Sequence, residues 1–345
     1  MSGARDGNGK NEIHARRPAA VGSEFVPPPP ENEKPSSPLG RYLKVEDLQG
    51  LRNYQFAPEA LVAGYLAGRH LSNRRGQSVE FSDYREYAPG DDIRMIDWKV
   101  LGRTDRHYVR LFDTETDMFV HLVLDSSASM GFDGGGGGAG AGAGGGERPG
   151  TSKLDYASFF TAALSHLVVR QGDRVSLTTF DAGVRRHIPP GSTGRHLTML
   201  MHALEHNEPG STTRVSETLA RSAGLLKRRG ILVLVSDLLD EPAEVFSALN
   251  LYTHRGFEVI IFHVLHPAEI ELPGQGFLRF RDMETGEDLA TDCSAVRRSY
   301  AAALDGHVRT VRSLARRQNA YYVLARTDTH YFSLFDRYLT RRGVL

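Results

Sequence analysis

One carboxylate and two hydroxyls stand at alternate positions in Val123-Leu124-Asp125-Ser126-Ser127-Ala128-Ser129-Met130. On a tight loop, that spacing lets Asp125, Ser127 and Ser129 turn their oxygens toward one point. Hard oxygens of this kind suit Mg²⁺ or Mn²⁺ and not zinc. Asp and Ser also favour helix caps, so this loop alone would read as a cap. Two later segments offer further oxygens. Gly210-Ser211-Thr212-Thr213-Arg214-Val215 precedes a helical pattern, and Val235-Ser236-Asp237 closes an apolar run. No histidine lies in any of the three segments, so neither serine has an evident base to make it a nucleophile.

Oxygens so far apart in sequence meet only if the fold gathers them. After Asp117 the chain alternates strand and helix patterns. Strands are expected at Phe119 to Leu124, Arg174 to Phe180, Ile231 to Val235, Glu258 to Val264 and Tyr321 to Leu324, with a short edge strand at Arg185 to Ile188. Helices are expected at about 154–169, 195–206, 215–227, 242–252 and 295–317. This alternation implies right-handed crossovers and an α/β fold with a doubly wound, mostly parallel sheet. Continuous Val, Ile and Leu runs are what strands covered on both faces require. In such sheets ligands bind beyond the carboxyl ends of the strands, where Asp125 and Asp237 are expected to fall.

The rest of the chain divides by composition. Residues 1–40 are polar and proline-rich, as a disordered tail is. Residues 41–117 read as a small accessory module, with a helical pattern from Val45 and a strand over Tyr108 to Phe112. Residues 118–340 form the α/β domain. Two insertions interrupt it. Residues 131–150 hold twelve glycines with no phosphate-binding pattern, as a flexible insertion would, and 277–292 read as a small hairpin. Trp98, the one tryptophan, is expected as a buried anchor, and Asp91, Asp92 and Asp97 as acceptors for turn amides and for Arg85 or Arg94. Lys227-Arg228-Arg229 reads as a basic helix end.

Bulk charge narrows the function. Lys+Arg and Asp+Glu are both 42, and a balanced chain argues against a nucleic-acid binder. Cys293 is the single cysteine, which excludes an intrachain disulfide and a cysteine-based zinc cluster and fits a reducing compartment. No apolar run approaches the roughly 18 residues of a membrane span, and the N-terminus lacks a signal-peptide pattern. The expected location is cytoplasmic.

Taken together, Asp125-x-Ser127-x-Ser129, a Thr before a helix and Asp237 after a buried strand resemble the metal-ion-dependent adhesion site of von Willebrand factor A domains. The resemblance implies metal ligands at Asp125, Ser127, Ser129, Thr213 and Asp237, with Thr212 as the alternative threonine. It also implies an acidic partner side chain completing the shell. Where that family usually has Gly-Gly-Thr-Asp, this chain has Ser211-Thr212-Thr213-Arg214. Upstream, Arg85-Glu86-Tyr87-x-Pro89-Gly90-Asp91-Asp92-Ile93-Arg94-x-Ile96-Asp97-Trp98 resembles the hallmark of the bacterial family called domain of unknown function 58. That resemblance implies association with MoxR-type AAA+ ATPases. The expectation is therefore a non-enzymatic, metal-dependent adaptor or co-chaperone that binds such an ATPase or its client. The alternative is a metal-dependent, phosphatase-like hydrolase. A haloacid dehalogenase-type phosphatase needs a second Asp two residues after the first, where Ser127 stands, and a lysine near the phosphate, for which the sequence offers no clear candidate.

Overall fold

The computed structural model describes residues 40–43, 45–51, 54, 56, 79–87, 97–104, 106–114, 118–134, 151–212 and 214–341. All of them belong to the unit Ser36–Leu345. The tail 1–39, the motif core 88–96, the glycine-rich stretch 135–150 and Thr213 lie outside the described residues.

The described elements open with helix α1 (Val45–Gly50), strand β1 (Val79–Glu86), helix α2 (Trp98–Thr104) and strand β2 (Tyr108–Thr114). Strands β1 and β2 form an antiparallel pair of their own. The α/β region follows with β3 (Phe119–Asp125), a 3-10 turn (Ser129–Gly131), α3 (Lys153–Arg170), β4 (Arg174–Phe180) and β5 (Val184–Gly191). Next come α4 (Gly194–Glu205), α5 (Val215–Ser222), β6 (Ile231–Ser236), α6 (Pro242–His254) and β7 (Glu258–Leu265). The region ends with α7 (Pro267–Ile270), β8 (Phe277–Arg281), β9 (Asp288–Asp292), α8 (Cys293–Arg317), β10 (Tyr321–Arg326) and α9 (Phe332–Arg341).

Six strands form the central sheet in the order β10-β7-β6-β3-β4-β5, parallel except for the antiparallel edge strand β5. Renumbered within the sheet, this is the 3-2-1-4-5-6 order of doubly wound folds. The chain winds outward from β3 in one direction and from β6 in the other. The crevice therefore opens between the carboxyl ends of β3 and β6.

Alternation along the strands divides the core in two. Val120, Leu122 and Leu124 of β3, with Ile231, Val233 and Val235 of β6, pack on one face with α3, α4 and α9. Val123 of β3, with Leu232 and Leu234 of β6, packs on the other face with α5, α6 and α8. Every residue of β6 is buried, so a polar group at its end can be satisfied only by protein or a bound ligand. Tyr42, Leu43, Leu51 and Phe56, expected within a separate module, contribute to the first of these cores. Phe56 stacks on Tyr338 of α9 at 5.0 Å.

Two expectations are corrected. Trp98 is 60% exposed, not a buried anchor. It starts a short helix whose preceding Asp97 is buried and accepts the Val100 N–H, so the aspartate is the fixed residue of the pair. The helix after Arg214 stops at Ser222, which leaves Lys227-Arg228-Arg229 in the loop before β6. The hairpin 277–292 forms as expected, but Phe277, Leu278, Met283 and Leu289 on it are exposed.

Candidate metal centre

Asp125 is the last residue of β3 and is fully buried. Its Oδ1 accepts the Ser127 N–H at 3.0 Å, which folds the following residues back over the strand end. Its Oδ2 accepts the Ser236 hydroxyl at 2.6 Å, which ties β3 to the end of β6. Ser127 Oγ and Ser129 Oγ lie 3.0 Å apart. Backbone bonds hold this loop on both sides. Ser126 N–H donates to Phe180 O, Gly210 N–H to Ser126 O, and Ala128 N–H to Ser211 O. The Gly210-Ser211 segment is thus stitched to the Asp-x-Ser-x-Ser loop. Thr212 beside it is exposed, and Thr213 is not described. Gly210 lets the segment come close to Asp181, whose carboxylate would have to shift for a Cβ there, 2.3 Å from its Oδ2.

Asp237 follows β6 and is also fully buried. The turn beyond it is strained. Leu238 has φ +50, a left-handed conformation that costs a side-chain-bearing residue about 1–2 kcal/mol. That turn is held by Leu238 N–H donating to Ser236 Oγ at 3.0 Å and by His307 Nε2 donating to Leu238 O at 2.9 Å. Such strain persists where the surroundings over-determine it, which is common at functional sites.

Charge is crowded here. Burial, with the charge of Asp237, pushes the Asp125 carboxyl up to about 7, against hydrogen bonds from Ser236 and Ser127 that lower it. Asp237 Oδ2 accepts Lys153 Nζ at 2.8 Å, and the same ammonium reaches Glu269 Oε1 at 2.6 Å. Lys153 is itself fully enclosed. Burial lowers its pKa, but Asp237 and Glu269 outweigh burial and leave it raised. Glu269 is anchored by its second oxygen, which accepts the His266 N–H at 2.8 Å. Asp237 Oδ1 and Ser126 Oγ have no hydrogen-bond partner.

This arrangement fits a hard dication. Asp125, Ser127, Ser129 and Asp237 present oxygens alone, and two of the carboxylates nearby would repel each other once ionised. One ammonium bridges two carboxylates, Asp237 and Glu269, and one buried carboxylate oxygen has nothing to bind. Among the described residues no three His, Cys, Asp or Glu are placed to hold a metal together. Hydroxyls would supply the remaining ligands.

A cavity of about 340 Å³ opens over the loop. Ser129 and Phe132 line one side, Leu239, Asp240 and Glu269 another, and the hairpin turn Arg281 to Glu284 a third. The hairpin leans on the end of the Asp-x-Ser-x-Ser loop, for the Met283 methyl lies 3.5 Å from where a Cβ on Gly131 would stand.

Sequence reasoning missed Lys153, Glu269 and the bridging role of Ser236. A faint signal existed for Lys153. It is the first residue of α3, where the helix dipole disfavours a cation. The lysine that the phosphatase alternative lacked is therefore present at the site, although paired to two carboxylates.

A family model described as "Protein of unknown function DUF58" matches residues 83–310, more than half of the chain. An uncharacterized protein of Mycobacterium tuberculosis is 28% identical over 306 residues, covering 86% of this chain and 90% of that one. An uncharacterized protein of Mycobacterium avium is 29% identical over 164 residues, covering 45% and 95%. Among solved structures, BatB from Bacteroides thetaiotaomicron is similar at 15% identity and TM-score 0.43, covering 66% of this chain and all of that one. The von Willebrand factor domain of the Porphyromonas gingivalis pilus tip protein Mfa5 gives 16% identity and TM-score 0.27, covering 36% and 39%. The fold assignment rests on the strand order of this chain itself. No helix among the described residues is long and apolar enough to cross a membrane. On the extent of the family match, the chain belongs to the DUF58 family of proteins of unknown function.

Proposed function

We propose that the protein is a non-enzymatic protein-interaction module that holds Mg²⁺ or Mn²⁺ through Asp125, Ser127, Ser129 and Asp237, with Thr213 or Thr212 as a further ligand. One observation carries the reading. Asp237 Oδ1 is buried without a partner, next to a second buried carboxylate that its charge perturbs. An unpaired carboxylate oxygen in a dry interior is costly, and a bound dication would satisfy it. The cavity above Ser129 leaves room for a partner side chain to reach the loop. A glutamate or aspartate there would add a further oxygen ligand. The family resemblance supplies the expected partner, a MoxR-type AAA+ ATPase or its client.

Lys153 favours the phosphatase alternative, since an ammonium could hold a phosphate. Its pairing with Asp237 and Glu269, and the serine two residues after Asp125, oppose that reading.

Capture of a purified MoxR-type ATPase on immobilised protein tests the proposal. Capture is expected in Mg²⁺, with loss in EDTA and loss in Asp125→Asn. Capture that survives both treatments would move the partner surface elsewhere, and turnover of a generic phosphomonoester abolished by Asp125→Asn would favour the hydrolase.

A further inference from the structure

The metal reading leaves one buried charge without a role. Lys153 Nζ is fully enclosed and divides its bonds between two carboxylates of different character. Glu269 is committed, because one oxygen takes the ammonium and the other takes the His266 N–H. Asp237 is half free, because one oxygen takes the ammonium and the other takes nothing. Burying an ammonium is expensive unless it is paired, and a helix's first residue is an unfavourable place for a cation. Packing alone does not account for a lysine here, whereas its position between the two carboxylates does. One of them is a candidate metal ligand. The other belongs to α7 and lines the cavity above the site.

We propose that Lys153 is the site's resident monovalent cation, which competes with a divalent metal for Asp237 and reports the outcome to Glu269. The proposal rests on the metal reading above. Without metal, the ammonium neutralises Asp237 and keeps two buried carboxylates tolerable. When Asp237 engages a dication, like charges repel and the ammonium shifts its share onto Glu269. Because Glu269 also caps the start of α7 through the His266 N–H, the shift tightens the segment His266 to Ile270. Metal occupancy is thereby coupled to one wall of the cavity a partner would enter. The coupling is reciprocal, so a partner that stabilises this wall raises the metal affinity.

The full chain, stripped with EDTA and titrated with Mg²⁺ by calorimetry, provides the test. Lys153→Met is expected to bind Mg²⁺ at least tenfold more tightly, since the competing cation is gone. Glu269→Gln is expected to bind severalfold more weakly, since the ammonium is left to Asp237 alone. If Glu269 acts through Lys153, adding Glu269→Gln to Lys153→Met changes affinity less than twofold. Hydrogen exchange adds a second readout. Mg²⁺ should protect residues 266–270 in the wild type and fail to do so in Lys153→Met. Should Lys153→Met not fold, Glu269→Gln and the wild-type exchange data decide the matter between them. Affinity shifts of the same sign in both variants, or unchanged exchange on adding Mg²⁺ to the wild type, would overturn the competition while leaving the metal site standing. A wild type that takes up no Mg²⁺ would overturn both.

Discussion

Replacing Asp125 by Asn is expected to make the metal-free protein more stable and the metal-bound state unreachable. The carboxyl ionises at 3.8 in its ordinary setting and at about 7 here, because burial and Asp237 oppose its charge. A carboxyl whose pKa is raised by folding contributes stability that is full below pH 3.8 and lost as pH rises through 7. At pH 8 the ionised form therefore costs the metal-free fold up to about 4 kcal/mol, at 1.36 kcal/mol per pKa unit. Asparagine keeps an oxygen for the Ser127 N–H but replaces the charged acceptor of the 2.6 Å bond from Ser236 with an amide. Losing that charge-assisted bond costs about 1–2 kcal/mol, so a net gain of about 2–3 kcal/mol remains. For a domain of this size the gain raises Tm by about 4–12 °C. Thermal melts in EDTA at pH 8 measure it. At pH 5 the gain should shrink, since the wild type then carries the proton. Excess Mg²⁺ should close the gap, stabilising the wild type by about 2.7 kcal/mol at a hundredfold excess over Kd and the variant not at all. A variant that melts below the wild type in EDTA at pH 8, or that gains as much from Mg²⁺, would refute the reasoning.

Other outcomes follow from the packing. The His121 ring donates from Nε2 to the Arg228 carbonyl at 2.9 Å and accepts the Ser176 hydroxyl at Nδ1 at 2.8 Å, and burial lowers its pKa to about 4. Its contribution to stability is present above pH 6.5 and lost as pH falls toward 4. Urea midpoints should show about 2 kcal/mol lost from this group between pH 7 and pH 5, with the slope flattened in His121→Gln. Gly230→Ala would set a Cβ 2.0 Å from the Phe119 carbonyl oxygen, where β6 starts beside β3. A loss of about 3 kcal/mol by denaturant titration is expected, and a loss under about 1 kcal/mol would show that the strands can part without cost.

Much of the scaffold was legible because it depends on local patterning. Buried strands announce themselves as Val, Ile and Leu runs, and β3, β6 and β7 fall where those runs lie. The hairpin 277–292 was legible from a Glu-Thr-Gly turn between alternating segments, and Gly286 adopts φ +75 there. Helix ends were less so. Leu226 continues the apolar face of α5 in the sequence, yet the helix stops at Ser222 and Leu226 is buried from the loop beyond. The geometry of the candidate site was legible where one short loop holds its groups, as with Asp125, Ser127 and Ser129. It was not legible where the partner is distant. Lys153 lies 84 residues from Asp237 and 116 from Glu269, separations at which no spacing rule applies. The exposure of Trp98 is not legible from its type, because aromatic residues are usually buried, whereas here the neighbouring Asp97 is the enclosed residue.

The exposure of Trp98 has an optical consequence. It is the sole tryptophan, and it stands largely in water on α2, outside the cavity that opens over Ser129. Indole emission shifts to the blue when the ring leaves water and is quenched by solutes that can collide with it. The native protein's emission therefore reports on this one patch of surface. A partner that covers α2 will shift the spectrum and shield it from iodide, whereas one seated only at the cavity will leave both unchanged. Without labels or substitutions, the chain can thus distinguish two modes of docking by the colour of its own light.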